Sequence, residues 1–240
     1  MSLFAIGDTH LSLSTGKTMN VFDGWQDYES RLENNWKKTV SDNDTVIIPG
    51  DISWCMDMEE GLEDFRFLDS LPGRKILMKG NHDYWWSTKK KATEFFERYN
   101  LKTLNILHNN AYTCGNIAIC GTRGWFFDAE KSEGSKVLNR EAGRLRTSIA
   151  AARETGLEPV VFLHYPPLTT MQKCDEIYDV LVQEKIKRCY YAHLHSFSHL
   201  SAYTGTSDDG ISFNLVSSDY LKFCPLIIPE NPDNSIKQRF

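Results

Sequence analysis

Lys75-Ile76-Leu77-Met78-Lys79-Gly80-Asn81-His82-Asp83 runs from an apolar, branched segment through a glycine into a block of amide, imidazole and carboxylate side chains. The same order recurs along the chain. Ser2-Leu3-Phe4-Ala5-Ile6 leads to Gly7-Asp8-Thr9-His10, Thr45-Val46-Ile47-Ile48 to Gly50-Asp51, Val160-Val161-Phe162-Leu163 to His164, and Cys189-Tyr190-Tyr191 to Ala192-His193-Leu194-His195. Short continuous apolar runs ended by Gly or Pro read as strands buried on both faces. Polar blocks at the carboxyl ends of such strands converge on one edge of a sheet, where open α/β folds place their sites. The i, i+2 spacing of Asp8 with His10, and of His193 with His195, predicts extended backbone that points each pair the same way.

Between these strands, Tyr28–Val40, Glu59–Leu71 and Lys89–Tyr99 have apolar residues at helical spacing, and Leu71-Pro72-Gly73 stops the second of them. Asn116–Cys120 reads as a further strand, Lys136–Thr155 as a long helix closed by Gly156, and Asp175–Lys187 as another helix. After His195 the pattern changes to short strands at Leu200–Tyr203 and Ile211–Val216, joined through Asp208-Asp209-Gly210, a hairpin signal. The expected architecture is α/β, two sheets packed face to face with helices outside. No linker, repeat or low-complexity stretch divides the 240 residues, so residues 1–240 are expected to form a single domain.

Apolar residues make up 41% of the chain, enough for a substantial core, and the net charge of −5 argues against an extended basic nucleic-acid surface. Six cysteines, with no C-x-x-C pair among them, predict free thiols in a reducing compartment rather than a disulfide framework or zinc finger. The first strand starts at about Ser2 and delivers Asp8, which leaves no room for a cleavable leader. No apolar run approaches the ~20 residues needed to span a bilayer. The expected location is cytoplasmic, without membrane attachment. The oligomeric state is not legible.

Taken singly, His164 before Tyr165-Pro166-Pro167 reads as a turn histidine, and Gly80-Asn81-His82-Asp83 as an ordinary loop. Taken in order, from Asp8 to His195, the blocks resemble the calcineurin-like metallophosphoesterase superfamily, whose pattern is D-x-H, G-D, G-N-H-[DE], H and G-H-x-H. Gly50-Asp51-Ile52-Ser53-Trp54, Lys79-Gly80-Asn81-His82-Asp83-Tyr84-Trp85-Trp86 and Gly121-Thr122-Arg123-Gly124-Trp125 look more like its uncharacterised bacterial predicted phosphohydrolases than like its eukaryotic protein phosphatases. The resemblance implies a four-layer αββα sandwich of two mixed sheets, with a dinuclear metal site at the carboxyl ends of strands. It implies Asp51 as the bridging ligand, Asp8, His10 and His195 on one metal, and Asn81, His164 and His193 on the other. Ligands without thiolate suit Mn²⁺, Fe or Zn²⁺ better than Ca²⁺, with Mn²⁺ favoured.

Hydrolysis at such a site requires ions ~3.5 to 4 Å apart with a hydroxide between them as nucleophile. The resemblance implies that His82 faces the substrate and assists the leaving group. Asp83 is expected to hydrogen-bond its ring, orient it and favour the imidazolium. Ala192 departs from the family's usual Gly, and its methyl group either fits a backbone with negative φ or crowds the site.

Two loops are candidates for substrate selection: Leu11–Gln26, carrying Lys17, Phe22 and Trp25, and Thr122–Lys136, carrying Arg123, Trp125, Phe126 and Phe127. Trp85-Trp86 adds aromatic surface, and Arg123 is a candidate phosphate clamp. His108 and His199 read as structural or surface residues. The expected activity is hydrolysis of a small phosphate monoester or diester. A nuclease-like phosphodiesterase and a non-catalytic, metal-binding interaction scaffold are the alternatives, the scaffold being disfavoured because all seven ligand candidates and His82 are present.

Overall fold

The computed structural model describes residues 1–125 and 134–230. Phe126 and Phe127 of the second candidate loop lie outside the described residues. Along the chain come β1 (Leu3–Ala5), α1 (Tyr28–Thr39), β2 (Thr45–Ile48), α2 (Leu62–Ser70), β3 (Arg74–Leu77), α3 (Lys89–Arg98), β4 (Leu104–Ile106) and β5 (Tyr112–Cys114). They are followed by β6 (Ile117–Thr122), α4 (Gly134–Arg153), β7 (Glu158–Leu163), α5 (Asp175–Gln183), β8 (Arg188–Tyr191), β9 (Gly205–Thr206), β10 (Ser212–Leu215) and β11 (Leu226–Ile228).

Among the described residues the strands form a five-stranded sheet, β11-β1-β2-β3-β4, and a six-stranded sheet, β5-β6-β7-β8-β10-β9. The inner strands are parallel, and the antiparallel partners β11, β5 and β9 lie at the edges, so both sheets are mixed. Side-chain alternation along the second sheet shows how the layers stack. Ile117, Ile119, Val160, Phe162 and Tyr190 join the core of the first sheet, together with Leu32 and Trp36 of α1, Phe65 of α2 and Phe95 of α3. Ala118, Cys120, Val161, Leu163, Cys189 and Tyr191 pack with Leu145 and Ile149 of α4 and Ile177 and Leu181 of α5. The result is a four-layer αββα sandwich. Each fully buried side chain of this kind contributes about 1.5–3 kcal/mol, which lets the sheet edge carry polar groups that are costly to bury.

One buried cation belongs to this framework. Lys75 of β3 is inaccessible to solvent, and its ammonium donates to the carbonyls of Leu71 and Gly73 where α2 ends. Burial pushes that ammonium down to about 8.

Several boundaries differ from expectation for local reasons. The helix expected from Glu59 starts at Leu62, because Met56 N–H donates to Glu60 and Glu60 N–H to Asp57 in a preceding turn. α5 stops at Gln183 instead of reaching Lys187, since Lys185 turns left-handed with φ 50° and Ile186 N–H returns to the carbonyl of Leu181. Leu200–Tyr203 is not a strand. Ser196–Ser201 forms a 3₁₀ helix there, started by reciprocal hydrogen bonds between His195 and Ser198. The hairpin is present, with Gly210 at φ 78° between β9 and β10. All six cysteines are unpaired. Among the described residues no helix is long and apolar enough to cross a membrane.

Candidate metal centre

Beyond their last sheet residues, the strands continue into loops that hydrogen-bond one another. Gly7 N–H donates to the carbonyl of Val216 at 2.7 Å and Ser218 N–H to the carbonyl of Gly7 at 3.0 Å, joining the extensions of β1 and β10 across the two sheets. Asp8 N–H donates to Gly50 and His10 N–H to Asp51, each at 2.9 Å, while His193 N–H donates to the Asp8 carboxylate at 2.9 Å. The expected extended backbone is absent at most of these positions. Asp8, His10, Asp51 and His193 have φ of 56°, 43°, 52° and 73°, the left-handed region that non-glycine residues rarely occupy. Each costs of order 1–3 kcal/mol and persists because the surrounding hydrogen bonds over-determine it. Such turns send Asp8 and His10 to one point, but His193 and His195 to different ones.

Two groups of donors result, Asp8–His10–His195 and Asp51–His164–His193, each with ligand atoms within 4.8 Å of one another. Asn81 completes the second group, its Oδ1 lying 2.7 Å from His164 Nε2. Asp51 sits between the two: its Oδ2 is 3.7 Å from His10 Nε2 and 3.5 Å from His164 Nε2. Its Oδ1 accepts the backbone N–H of His82 at 2.8 Å.

These contacts bear the marks of a cation site. His164 Nδ1 faces the carbonyl of Pro49 at 3.0 Å. A carbonyl only accepts, so the proton belongs on Nδ1 and the Nε2 lone pair faces Asn81 Oδ1, another acceptor. His195 repeats the arrangement. Its Nδ1 is 3.0 Å from Asp219 Oδ1, and its Nε2 faces His10 Nε2 at 3.3 Å and Asp8 Oδ1 at 3.6 Å. Converging lone pairs repel unless a cation lies among them. The mixed imidazole, carboxylate and amide set, free of thiolate, fits a divalent metal ion.

The electrostatics agree. Burial holds the His10 and His164 imidazoles far below their ordinary range, with His195 and His193 adding respectively, and burial takes His193 down to about 4. All three therefore offer lone pairs. Burial works against charge on His195 too, but Asp8 and Asp219 outweigh it and raise that imidazole to about 10, so without a cation its Nε2 carries a proton, which a bound metal ion would replace. Burial pushes the Asp51 carboxyl well above the usual range, and the Asp83 and Asp8 carboxylates add to it. A divalent cation would offset this crowding of negative charge.

Asp83 does not orient His82 as expected. It is fully buried, and its carboxylate accepts from Gly80 N–H at 2.6 Å, Asp51 N–H at 2.9 Å, Ile52 N–H at 2.8 Å, Ser53 N–H at 3.4 Å and Trp85 Nε1–H at 2.9 Å. Asp83 thus ties the Gly80–Asn81 turn to the Asp51 loop. The half-buried His82 ring leans on Trp54, centroids 4.5 Å apart, and its Nδ1 lies 3.5 Å from the Tyr84 hydroxyl. Burial, with His195 nearby, lowers its pKa, opposite to the expected support for the imidazolium.

The aromatic candidates separate by burial. Trp25 is inaccessible and packs edge-on against both His10 and His195, so it braces those imidazoles from within the core instead of presenting a surface to substrate. Trp54 stacks on His10 at 4.9 Å, holding a ring whose buried Nδ1 has no hydrogen-bond partner. Trp85 is core, whereas Trp86 lines a cavity together with Arg123. The Arg123 guanidinium lies 4.6 Å over the Trp125 ring, and its backbone carbonyl accepts the N–H groups of His164 and Tyr165. His108 lines the same cavity, and His199 reaches Asp219 at 3.3 Å.

Asp219 is the residue that motif reading missed. It follows β10 as Ser217-Ser218-Asp219, the same polar ending of an apolar run that marks the other blocks, and its carboxylate fixes the tautomer of His195.

Glycines allow the close approach of these loops. A Cβ on Gly80 would lie 2.1 Å from Asp51 Oδ1, so no side chain fits beneath that carboxylate. A Cβ on Gly7 would lie 2.6 Å from the Ala192 methyl and 3.2 Å from Pro49 Cγ. Ala192 has no positive φ and fits because Gly7 yields the space, so it leaves the ligand geometry intact. Gly7→Ala is accordingly expected to destabilise the fold by ~1–3 kcal/mol, the usual cost of overpacking. Ala192→Gly in the same chain should restore most of that loss. Thermal melts of the two single variants and the double variant check this, since purely additive effects would show that the methyl contact is not the cause.

The sequence profile of the calcineurin-like phosphoesterase family matches residues 1–197, which hold every ligand candidate. No curated protein matches the sequence. Among solved structures, the fold is similar to that of a protein of unknown function from Aquifex aeolicus, with TM-score 0.52, 17% identity, and 94% of this chain and 95% of that one covered. It is similar also to a phosphopantetheinyl hydrolase from Mycobacterium tuberculosis, with TM-score 0.52, 16% identity, and 98% of each chain covered. With the profile spanning most of its length and both donor groups assembled, the chain belongs to the calcineurin-like phosphoesterase family.

Proposed function

We propose that this protein is a dinuclear metal-dependent phosphohydrolase acting on a small phosphate ester. The observation that carries the proposal is the position of Asp51 Oδ2, 3.7 Å from His10 and 3.5 Å from His164, between two donor groups. Asp51 would bridge, Asp8, His10 and His195 would hold one ion, and Asn81, His164 and His193 the other. Bound divalent ions would supply Lewis acidity to the phosphoryl oxygens and acidify a water molecule. Mn²⁺, Fe or Zn²⁺ suits the donors, and Mn²⁺ is the first to test.

The chain's own residues do the rest. Pro49 and Asp219 hold the protons of His164 and His195 on Nδ1, which keeps both Nε2 atoms turned inward. Trp54 and Trp25 restrict the His10 ring. His82 belongs to neither donor group, and its ring stands beside that of His10, centroids 5.8 Å apart. We assign it to the leaving oxygen, as hydrogen-bond donor or acid. Residues 1–240 are taken as one domain, and the six unpaired cysteines support a reducing, cytoplasmic setting.

Elemental analysis of Mn²⁺-loaded protein is expected to find two ions per chain, with a higher Tm than after chelation. Asp51→Asn should lose at least one ion, most of that Tm gain, and hydrolysis of chromogenic phosphate mono- and diesters. Full metal content in Asp51→Asn would rule out the bridge, and failure of the wild type to take up metal would rule out the function.

A further inference from the structure

Beside the metal centre lies a cavity of about 430 Å³ whose charge is unlike that of the rest of the chain. The protein is acidic overall, with 32 Asp and Glu against 27 Lys and Arg. Among the described residues this cavity is lined by Lys79, Lys89, Arg123, Arg140 and Arg144, against a single carboxylate, Glu141. That carboxylate is already engaged. Glu141 is fully buried, accepts from the Thr122 hydroxyl at 2.7 Å and pairs with Arg144. Among the described residues, Lys79, Lys89, Arg123 and Arg140 have no acidic partner. Like charges gathered in one concavity repel one another, and an anion placed among them relieves that repulsion and is concentrated by it. The N-terminus of α3 opens on the same cavity through Ser87, Thr88 and Lys89, adding the positive end of its dipole.

The cavity shares backbone with the metal centre. Lys79 is followed directly by Gly80 and Asn81, and the Arg123 carbonyl accepts His164 N–H at 3.1 Å. Its walls include the residues after β3 and β4 and the end of β6, the same sheet edge from which the ligands project. Trp86 supplies an aromatic wall.

We infer that this cavity is a second anion subsite, which takes a phosphoryl group of the substrate other than the one hydrolysed. The substrate class is then a phosphate ester carrying a second phosphate. The word substrate rests on the phosphohydrolase function proposed above, whereas anion binding in the cavity does not. Arginine forks suit bidentate contact with two oxygens of a phosphate, and lysines add point charge.

The test uses the full, metal-loaded chain in two arms. Calorimetric titration with inorganic phosphate is expected to show two sites per chain, of which the Lys89→Glu/Arg140→Glu variant weakens one by at least ~10-fold and leaves the other. Arg140 is exposed and neither residue contacts a donor group, and a circular-dichroism melt confirms that the variant is folded. In the kinetic arm, kcat/KM for adenosine 3′,5′-bisphosphate should exceed that for adenosine 5′-monophosphate by ~10-fold or more, and the variant should lose that preference. A single phosphate site, or two sites indifferent to the charge reversals, overturns the inference. Two sites without any preference for the bisphosphate overturn the substrate assignment, making the cavity a site for free phosphate. If neither nucleotide nor any chromogenic ester is hydrolysed, the phosphohydrolase function fails, and the titration alone decides whether the cavity binds phosphate.

Discussion

Asp83→Asn is expected to lower stability by ~3–5 kcal/mol, the cost of breaking a buried charged network. The carboxylate accepts four backbone N–H groups and the indole N–H of Trp85, and all of this is buried. An asparagine keeps the shape but carries an NH₂. Turned one way, that NH₂ meets the donors of Gly80 and Asp51, and turned the other way it meets those of Ile52, Ser53 and Trp85. Either orientation leaves buried donors facing a donor, each costing ~1–3 kcal/mol. In a domain of this size the Tm should fall on the order of 10 °C. Because Asp83 ties the turn bearing Asn81 to the loop bearing Asp51, metal affinity should fall with it. A variant melting within about 2 °C of wild type would show that the network is not limiting. The carboxylate after His82 is therefore expected to matter through architecture, well beyond any influence on the histidine.

His82→Ala should behave in the opposite way, keeping the fold and both metal ions while losing ~10²- to 10⁴-fold in turnover of an ester with a poor leaving group. Its side chain is outside both donor groups, and only its backbone N–H touches Asp51, a contact that alanine preserves. The defect should shrink for a nitrophenyl ester, whose leaving oxygen needs little proton assistance. Parallel measurement of metal content and of kcat/KM for alkyl and nitrophenyl esters separates the roles. An emptied metal group would make His82 a ligand, and an equal loss on both esters would remove the leaving-group assignment.

The ligand blocks were legible because each ends an apolar run, and strand ends are where parallel sheets bring distant residues together. Asp219 obeys the same rule after β10, but no motif drew attention to it. What failed was orientation. The spacing of Asp8 and His10 suggested extended backbone, yet both sit in left-handed turns set by hydrogen bonds to Gly50 and Asp51, partners more than forty residues away. Adjacency likewise suggested that Asp83 serves His82, although neighbouring residues in a turn face apart. Trp25 looked like a loop residue free to meet substrate, and only tertiary packing against His10 and His195 shows it to be core. β4, β5 and β11 are three-residue strands, too short for any periodicity to register. The clustering of Lys79, Lys89, Arg123, Arg140 and Arg144 was equally invisible, since those cations come from three separate stretches of sequence.

Each donor group draws on both layers of the sandwich. Asp8 and His10 extend from the first sheet and His195 from the second, while Asp51 follows the first and His164 and His193 the second. The distance between donors from different sheets thus follows the spacing of the sheets, set by the side chains that fill the interlayer: Ile119, Val160, Phe162 and Tyr190 from one face against the first sheet's residues from the other. Trimming or enlarging one of those apolar side chains is therefore expected to shift the distance between first-sheet and second-sheet donors within each group. Metal affinity is then expected to respond to substitutions at residues outside both donor groups.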